Sequence, residues 1–176
     1  PPALARERDI TILPLGIGYP EGDYQDGVDI TPEDIYRRMP QEVPKTSLPT
    51  GEAIFAAFDR IRAAGYEKVL ALIFSSGISG TYNAVRLAAR EYRELEIAVF
   101  DTKSASLGLG TMALQAWDYI RAGMEWEELL ERIPRLIAGT SIFFSLDTLE
   151  YLQKGGRIGR VTCVAGTKLQ IKPIIS

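Results

Sequence analysis

Histidine is absent from this chain of 176 residues, and cysteine occurs once, as Cys163. The first absence excludes Ser-His-Asp and Cys-His nucleophilic mechanisms and every His-ligated metal site. The second excludes an internal disulfide, thiolate zinc clusters and iron–sulfur centres, and makes a reducing cytoplasm the simplest home. There is no surplus of positive charge: 20 Lys and Arg stand against 23 Asp and Glu, a net charge of −3. That balance argues against nucleic acid as a partner. No apolar run approaches the roughly 18–20 residues of a membrane-spanning helix, so no integral membrane segment is expected. What remains is carboxylate, lysine or tyrosine chemistry, or a protein that binds its ligand without transforming it.

The composition that is present, 46% apolar and 24% charged, is that of a globular domain with one full core. Apolar runs alternate with amphipathic stretches. Residues 10–17 read as a strand, and Thr31-Pro32-Glu33-Asp34 as a helix start with Thr31 capping and Pro32 in the first turn. A proline-punctuated loop over 40–49 leads to a helix over 51–65, with Ile54, Phe55, Phe58 and Ile61 on one stripe and Gly65 as its stop. Residues 68–74, KVLALIF, form a continuous apolar run of the kind covered on both faces in a parallel sheet. Helices are expected over 81–92, 108–122 and 126–138, the last with a kink at Pro134. Strands are expected over 96–102, 141–146 and 171–176, with Asp147 capping a short helix that ends at Gly155-Gly156. The rhythm predicts an α/β fold with a mostly parallel sheet flanked by helices, a single domain over 1–176. With no initiator Met and a stop inside an apolar run, both ends read as truncated.

Three segments carry candidate chemistry. Ser75-Ser76-Gly77-Ile78-Ser79-Gly80-Thr81 sits between a buried strand and a helix, where ligands collect in open α/β sheets and where amides and the helix dipole favour an anion. The same residues also serve as a helix cap and tight turn. The segment is neither a phosphate loop, since no Lys follows, nor a dinucleotide fingerprint; Gly108-Leu109-Gly110 lacks the third glycine. Lys45-Thr46-Ser47-Leu48-Pro49-Thr50 presents hydroxyls between two prolines, as a cap or as a preorganised site. Lys154-Gly155-Gly156-Arg157-Ile158-Gly159-Arg160 is a helix stop followed by cations that are either solvated or meet a phosphate or an acidic partner.

Taken in order, PKTSLPT at 44–50, SSGISGTYNA at 75–84, DTKSASLGLG at 101–110, LEYLQKGGRIG at 149–159 and the terminal KPIIS resemble the DegV family of bacterial proteins. The lead-in YQDGVDITPED at 24–34 fits as well. The resemblance implies the N-terminal lobe of a lipid-binding protein that carries a long-chain fatty acid, has no catalytic residue, metal or cofactor of its own, and presents the acid to a fatty acid kinase for phosphorylation to acyl phosphate. It maps the carboxylate-binding hydroxyls onto Thr46 and Ser76, with Ser47 and Gly77 beside them, and the phosphotransfer surface onto Arg157. The family's opening DS(T)-type turn has no counterpart before Pro1, and its second α+β lobe, with a histidine near the carboxylate, has none here.

A second reading from a different class stays open on sequence: an enzyme acting on a small anion or phosphate ester, with the Ser/Gly turn as an oxyanion site. Without histidine, its general base would be Asp101, Asp147, Lys45 or Lys103.

Overall fold

The computed structural model describes residues 2–156 and 174–175. In chain order the elements begin α1 (Pro2–Glu7), β1 (Gly16–Tyr19), β2 (Gly22–Gln25), α2 (Pro32–Arg38), β3 (Lys45–Ser47) and α3 (Gly51–Ala63). They continue β4 (Lys68–Ile73), α4 (Thr81–Ala88) with a 3-10 turn at Ala89–Glu91, β5 (Glu96–Asp101), α5 (Ser106–Arg121) and α6 (Trp126–Ala138). The last are β6 (Phe144–Ser145), α7 (Glu150–Lys154) and β7 (Ile174–Ile175). The chain forms two compact units, one holding Leu48–Ser141 with the stretch up to Leu13, the other Pro14–Ser47 with the described residues from Ile142 onward.

The first unit is a three-layer sandwich around a parallel pair. β4 and β5 run in register from Lys68 opposite Glu96 to Ile73 opposite Asp101. Because side chains alternate across a strand, Val69, Ala71, Ile97 and Val99 face one side, and Leu70, Leu72, Ala98 and Phe100 the other. The first side packs on Ile54 and Phe58 of α3 and Val85 and Ala88 of α4, the second on Ala116 of α5 and Trp126, Leu129 and Ile133 of α6. This is the two-sided burial expected of KVLALIF, and the α/β class follows from it. Local signals set the helix ends. The Thr50 hydroxyl accepts from the Ala53 N–H at 3.1 Å, and Gly65 follows α3 at φ +83°, a conformation that favours glycine. α6 occupies the span expected for it and runs unbroken through Pro134.

The second unit is built on antiparallel pairing. β1 lies between β2 and β3, with Ile17 opposite Tyr24 on one side and opposite Thr46 on the other. Ile17, Tyr19 and Ile30 form its small core, with Tyr24 and Ile35 packed against them. Thr31 caps α2 in a capping box with Asp34, and Pro32 occupies the first turn as expected. β6 pairs antiparallel with β7.

The structure departs from the sequence expectation at several points. The strand expected over 10–17 exists only from Gly16, because Pro14 has no N–H to donate to a ladder. The loop expected over 40–49 contains β3, which pairs with a strand almost 30 residues earlier and so has no local signal. α1 and β2 lie where the sequence pattern predicts no element. The strand expected over 141–146 shortens to Phe144–Ser145, and of that over 171–176 only Ile174–Ile175 are described. Asp147 is not the cap of α7: the N-cap position is Leu149, and it is the Thr148 hydroxyl that accepts from the Glu150 N–H. Gly156, at φ +73°, ends that helix as expected.

Candidate functional site

The Ser/Gly turn emerges from the carboxyl end of β4 and is fastened by the loop that leaves β5. Since Ile73 lies opposite Asp101, the chain beyond each strand end meets the other. The Thr102 N–H and hydroxyl both donate to the Ile73 carbonyl at 2.9 Å, and the Ser75 N–H donates to the Ser104 carbonyl at 2.8 Å. The Ser76 N–H donates to the Asp101 carboxylate at 3.0 Å. The Gly77 N–H donates to the Ser75 hydroxyl at 3.1 Å, and Ser79 and Thr81 share a hydroxyl–hydroxyl bond of 2.8 Å at the start of α4. Thr81, Thr102 and Ser104 are buried.

This pattern speaks against an oxyanion site at Ser76 and Gly77. An oxyanion site needs backbone N–H groups aimed at a developing negative charge. Here the N–H groups of both Ser76 and Gly77 are already bonded, and the acceptor at Ser76 is itself a carboxylate. Nor does Asp101 suit a general base. Burial alone would push its carboxyl up, but the Lys103 ammonium and the hydrogen bonds from Ser76 and the Lys103 N–H outweigh it and hold the group at about 2, against an ordinary 3.8. A depressed folded-state pKa means stability that is present above 3.8 and lost as pH falls towards about 2. Thermal melts across that interval are therefore expected to fall less steeply for Asp101→Asn than for the parent chain; equal acid slopes would contradict this assignment.

Ser76 and Gly77 thus lie on the first unit, half-buried at the turn, whereas Thr46 and Ser47 lie exposed on β3 of the second. Successive strand residues face opposite ways, so the two hydroxyls of the PKTS segment do not share a face. Thr46 sits opposite Ile17, and Ser47 opposite Gly16, where a Cβ would collide with the Ser47 hydroxyl; glycine is what lets the strands close there. Arg157 lies outside the described residues. Within the first unit an apolar groove of about 570 Å³ runs between α3 and α4, lined by Leu48, Ile54, Phe55, Ala84, Leu87 and Glu91 among others. Leu48 at its head approaches Gly80 of the turn, 3.7 Å from where a Cβ would stand. The volume lies in the roughly 300–1,000 Å³ range of small-molecule sites.

In the sequence Asp101 reads only as a possible base, with no sign of its tie to Ser76. The two are 25 residues apart, and only the parallel register brings them together. Among the described residues no cluster of three or more His, Cys, Asp or Glu is placed to hold a metal ion, and no helix is long and apolar enough to cross a membrane.

The family model for DegV proteins, described as uncharacterised, matches residues 1–176. The chain belongs to the DegV family. It is 38% identical over 171 residues to a DegV domain-containing protein of Clostridium perfringens, covering 97% of this chain and 61% of that protein. Among solved structures, a DegV family protein from Thermus thermophilus, described by its fatty-acid binding, matches with a TM-score of 0.89 at 34% identity, covering 99% of this chain and 62% of its own. A stearic-acid-binding protein from Eubacterium ventriosum matches with a TM-score of 0.89 at 33% identity, covering 98% and 61%. The chain therefore spans about three fifths of the length of the family members it matches. These neighbours bind fatty acids, and their α/β fold is the fold found here.

Proposed function

We propose that this chain is part of a cytoplasmic fatty-acid-binding protein in which the hydroxyls of Thr46 and Ser76, flanked by Ser47 and Gly77, hold the carboxylate of a long-chain acid. The reading is carried by one observation: the match, at a TM-score of 0.89 over 99% of the chain, to a DegV protein described by its fatty-acid binding. The turn supports it. The Ser76 and Gly77 N–H groups are bonded internally and the Ser76 hydroxyl also hydrogen-bonds Asp101, so in this reading that hydroxyl turns from Asp101 to donate to the small anionic head of the ligand. The apolar groove beginning at Leu48 supplies surface of the kind an acyl chain needs, at about 0.8 kcal/mol per buried CH₂.

In the same reading the protein is non-catalytic and hands its acid to a fatty acid kinase, with Arg157 on the transfer surface. Purifying the full-length protein from a bacterial host and extracting it for mass spectrometry tests the binding role. Co-purified C16–C18 acids are expected; a nucleotide or sugar phosphate in their place would overturn it. Arg157→Ala is expected to leave fatty-acid affinity intact and to slow phosphorylation by the kinase. A variant that loses affinity but is phosphorylated normally at saturating acid contradicts that division of roles.

A further inference from the structure

A carboxylate within hydrogen-bonding distance of the Ser76 N–H is an unexpected neighbour for a site that takes an anion. Asp101 is almost buried, its side chain 10% exposed, and it is ion-paired with the Lys103 ammonium. The Lys103 N–H donates to the same carboxylate at 3.2 Å. Lys103 makes this double grip at φ +54°, a left-handed conformation that side-chain-bearing residues rarely take. Backbone strain of this kind persists where its surroundings over-determine it, and it concentrates at functional sites. Here it folds a cation back over an acid two residues earlier, on the loop whose Thr102 and Ser104 also bond Ile73 of β4 and Ser75 beyond it.

We propose that the Asp101–Lys103 pair is the electrostatic counterweight of the Ser76 turn: Asp101 holds the turn by the Ser76 amide and hydroxyl, and Lys103 cancels the charge so that an anionic head group can draw that hydroxyl to itself. The inference rests on the fatty-acid reading above and adds to it two positioning residues. Its logic is one of like charges. A second carboxylate arriving beside an uncompensated Asp101 is repelled, and an exposed cation partner relieves that repulsion by an amount that salt reduces. An uncharged head group on the same acyl chain is indifferent to the pair.

The test compares stearic acid with octadecan-1-ol, binding each to the full-length protein at low and high ionic strength. Lys103→Met is expected to weaken the acid by about threefold to fivefold at low salt, the size of an exposed pair, and less at high salt. It leaves the alcohol unchanged, and Lys103→Arg restores the acid. Asp101→Asn keeps an acceptor for the Ser76 N–H and frees the cation, so it is expected to tighten the acid while leaving the alcohol alone. Equal losses for acid and alcohol in Lys103→Met would mean a structural role only and overturn the proposal, as would unchanged acid affinity. Ser76→Ala in the same titration separates the two levels. If it weakens the acid while Lys103→Met does not, the counterweight alone is wrong; if Ser76→Ala is itself silent, the carboxylate reading fails and the counterweight falls with it.

Discussion

Replacing Ser76 by alanine is expected to weaken fatty-acid binding by about 1.5–3 kcal/mol, roughly a 10- to 150-fold loss of affinity, with the fold unchanged. The size follows from the proposed reading, in which the hydroxyl donates to an ionised oxygen, where hydrogen bonds are about twice as strong as between neutral groups. The fold should survive because the turn is held by other groups: the Ser76 N–H to Asp101 and the Ser75 N–H to Ser104 use the backbone, which alanine retains. Thr46→Ala is expected to act in the same direction, and the double variant to lose less than the sum of the two, since the proposed reading assigns both hydroxyls to one carboxylate. A titration with a fluorescent fatty acid, accompanied by circular dichroism, measures all three. Unchanged affinity in both single variants would remove the carboxylate from these residues.

The largest loss of stability is expected at Ile133, on the other side of the sheet. Its exposure is 0%, and it packs with Trp126, Leu129 and Ala116 beneath the Leu70, Leu72, Ala98 and Phe100 face of β4 and β5. Ile133→Ala removes buried methyl groups and leaves a cavity whose walls, being helix and strand backbone, collapse only partly. The expected cost is about 2–5 kcal/mol, a large part of the 5–15 kcal/mol that typically holds a protein folded. For a protein of this size that corresponds to a fall in melting temperature on the order of 10 °C. Ile133→Val, which deletes one methyl group, is expected to cost about 0.5–1.5 kcal/mol. Fatty-acid affinity measured well below the melting transition should be untouched, because the groove and the turn belong to the opposite face and the strand ends. A small stability change together with a loss of affinity would show that the two faces are not independent.

Much of the helical structure is written in short-range chemistry. Thr50 and Gly65 bound α3, Thr31 and Asp34 start α2, and the span of α6 can be read from its amphipathic pattern, because caps and 3.6-residue periodicity act within a few residues of one another. The run KVLALIF likewise announces burial on both faces, since no strand with a solvated side carries so unbroken an apolar stretch. The candidate hydroxyls of Thr46 and Ser76 were also visible, as dense Ser, Thr and Gly at the starts of helices.

What the sequence does not carry is which groups are already engaged. β3 hides in a proline-flanked loop because its stability comes from Gly16 and Ile17, far back in the chain, and Pro14 cuts short the strand that periodicity extends to residue 10. Asp101, reasonable on paper as a base, becomes a structural acceptor once the parallel register of β4 and β5 sets it against the Ser76 amide. Local propensities determined where helices start and where apolar surface must be covered. Tertiary pairing alone decided which N–H groups are consumed and which hydroxyls face which way; such pairing joins residues tens of positions apart and leaves no local trace.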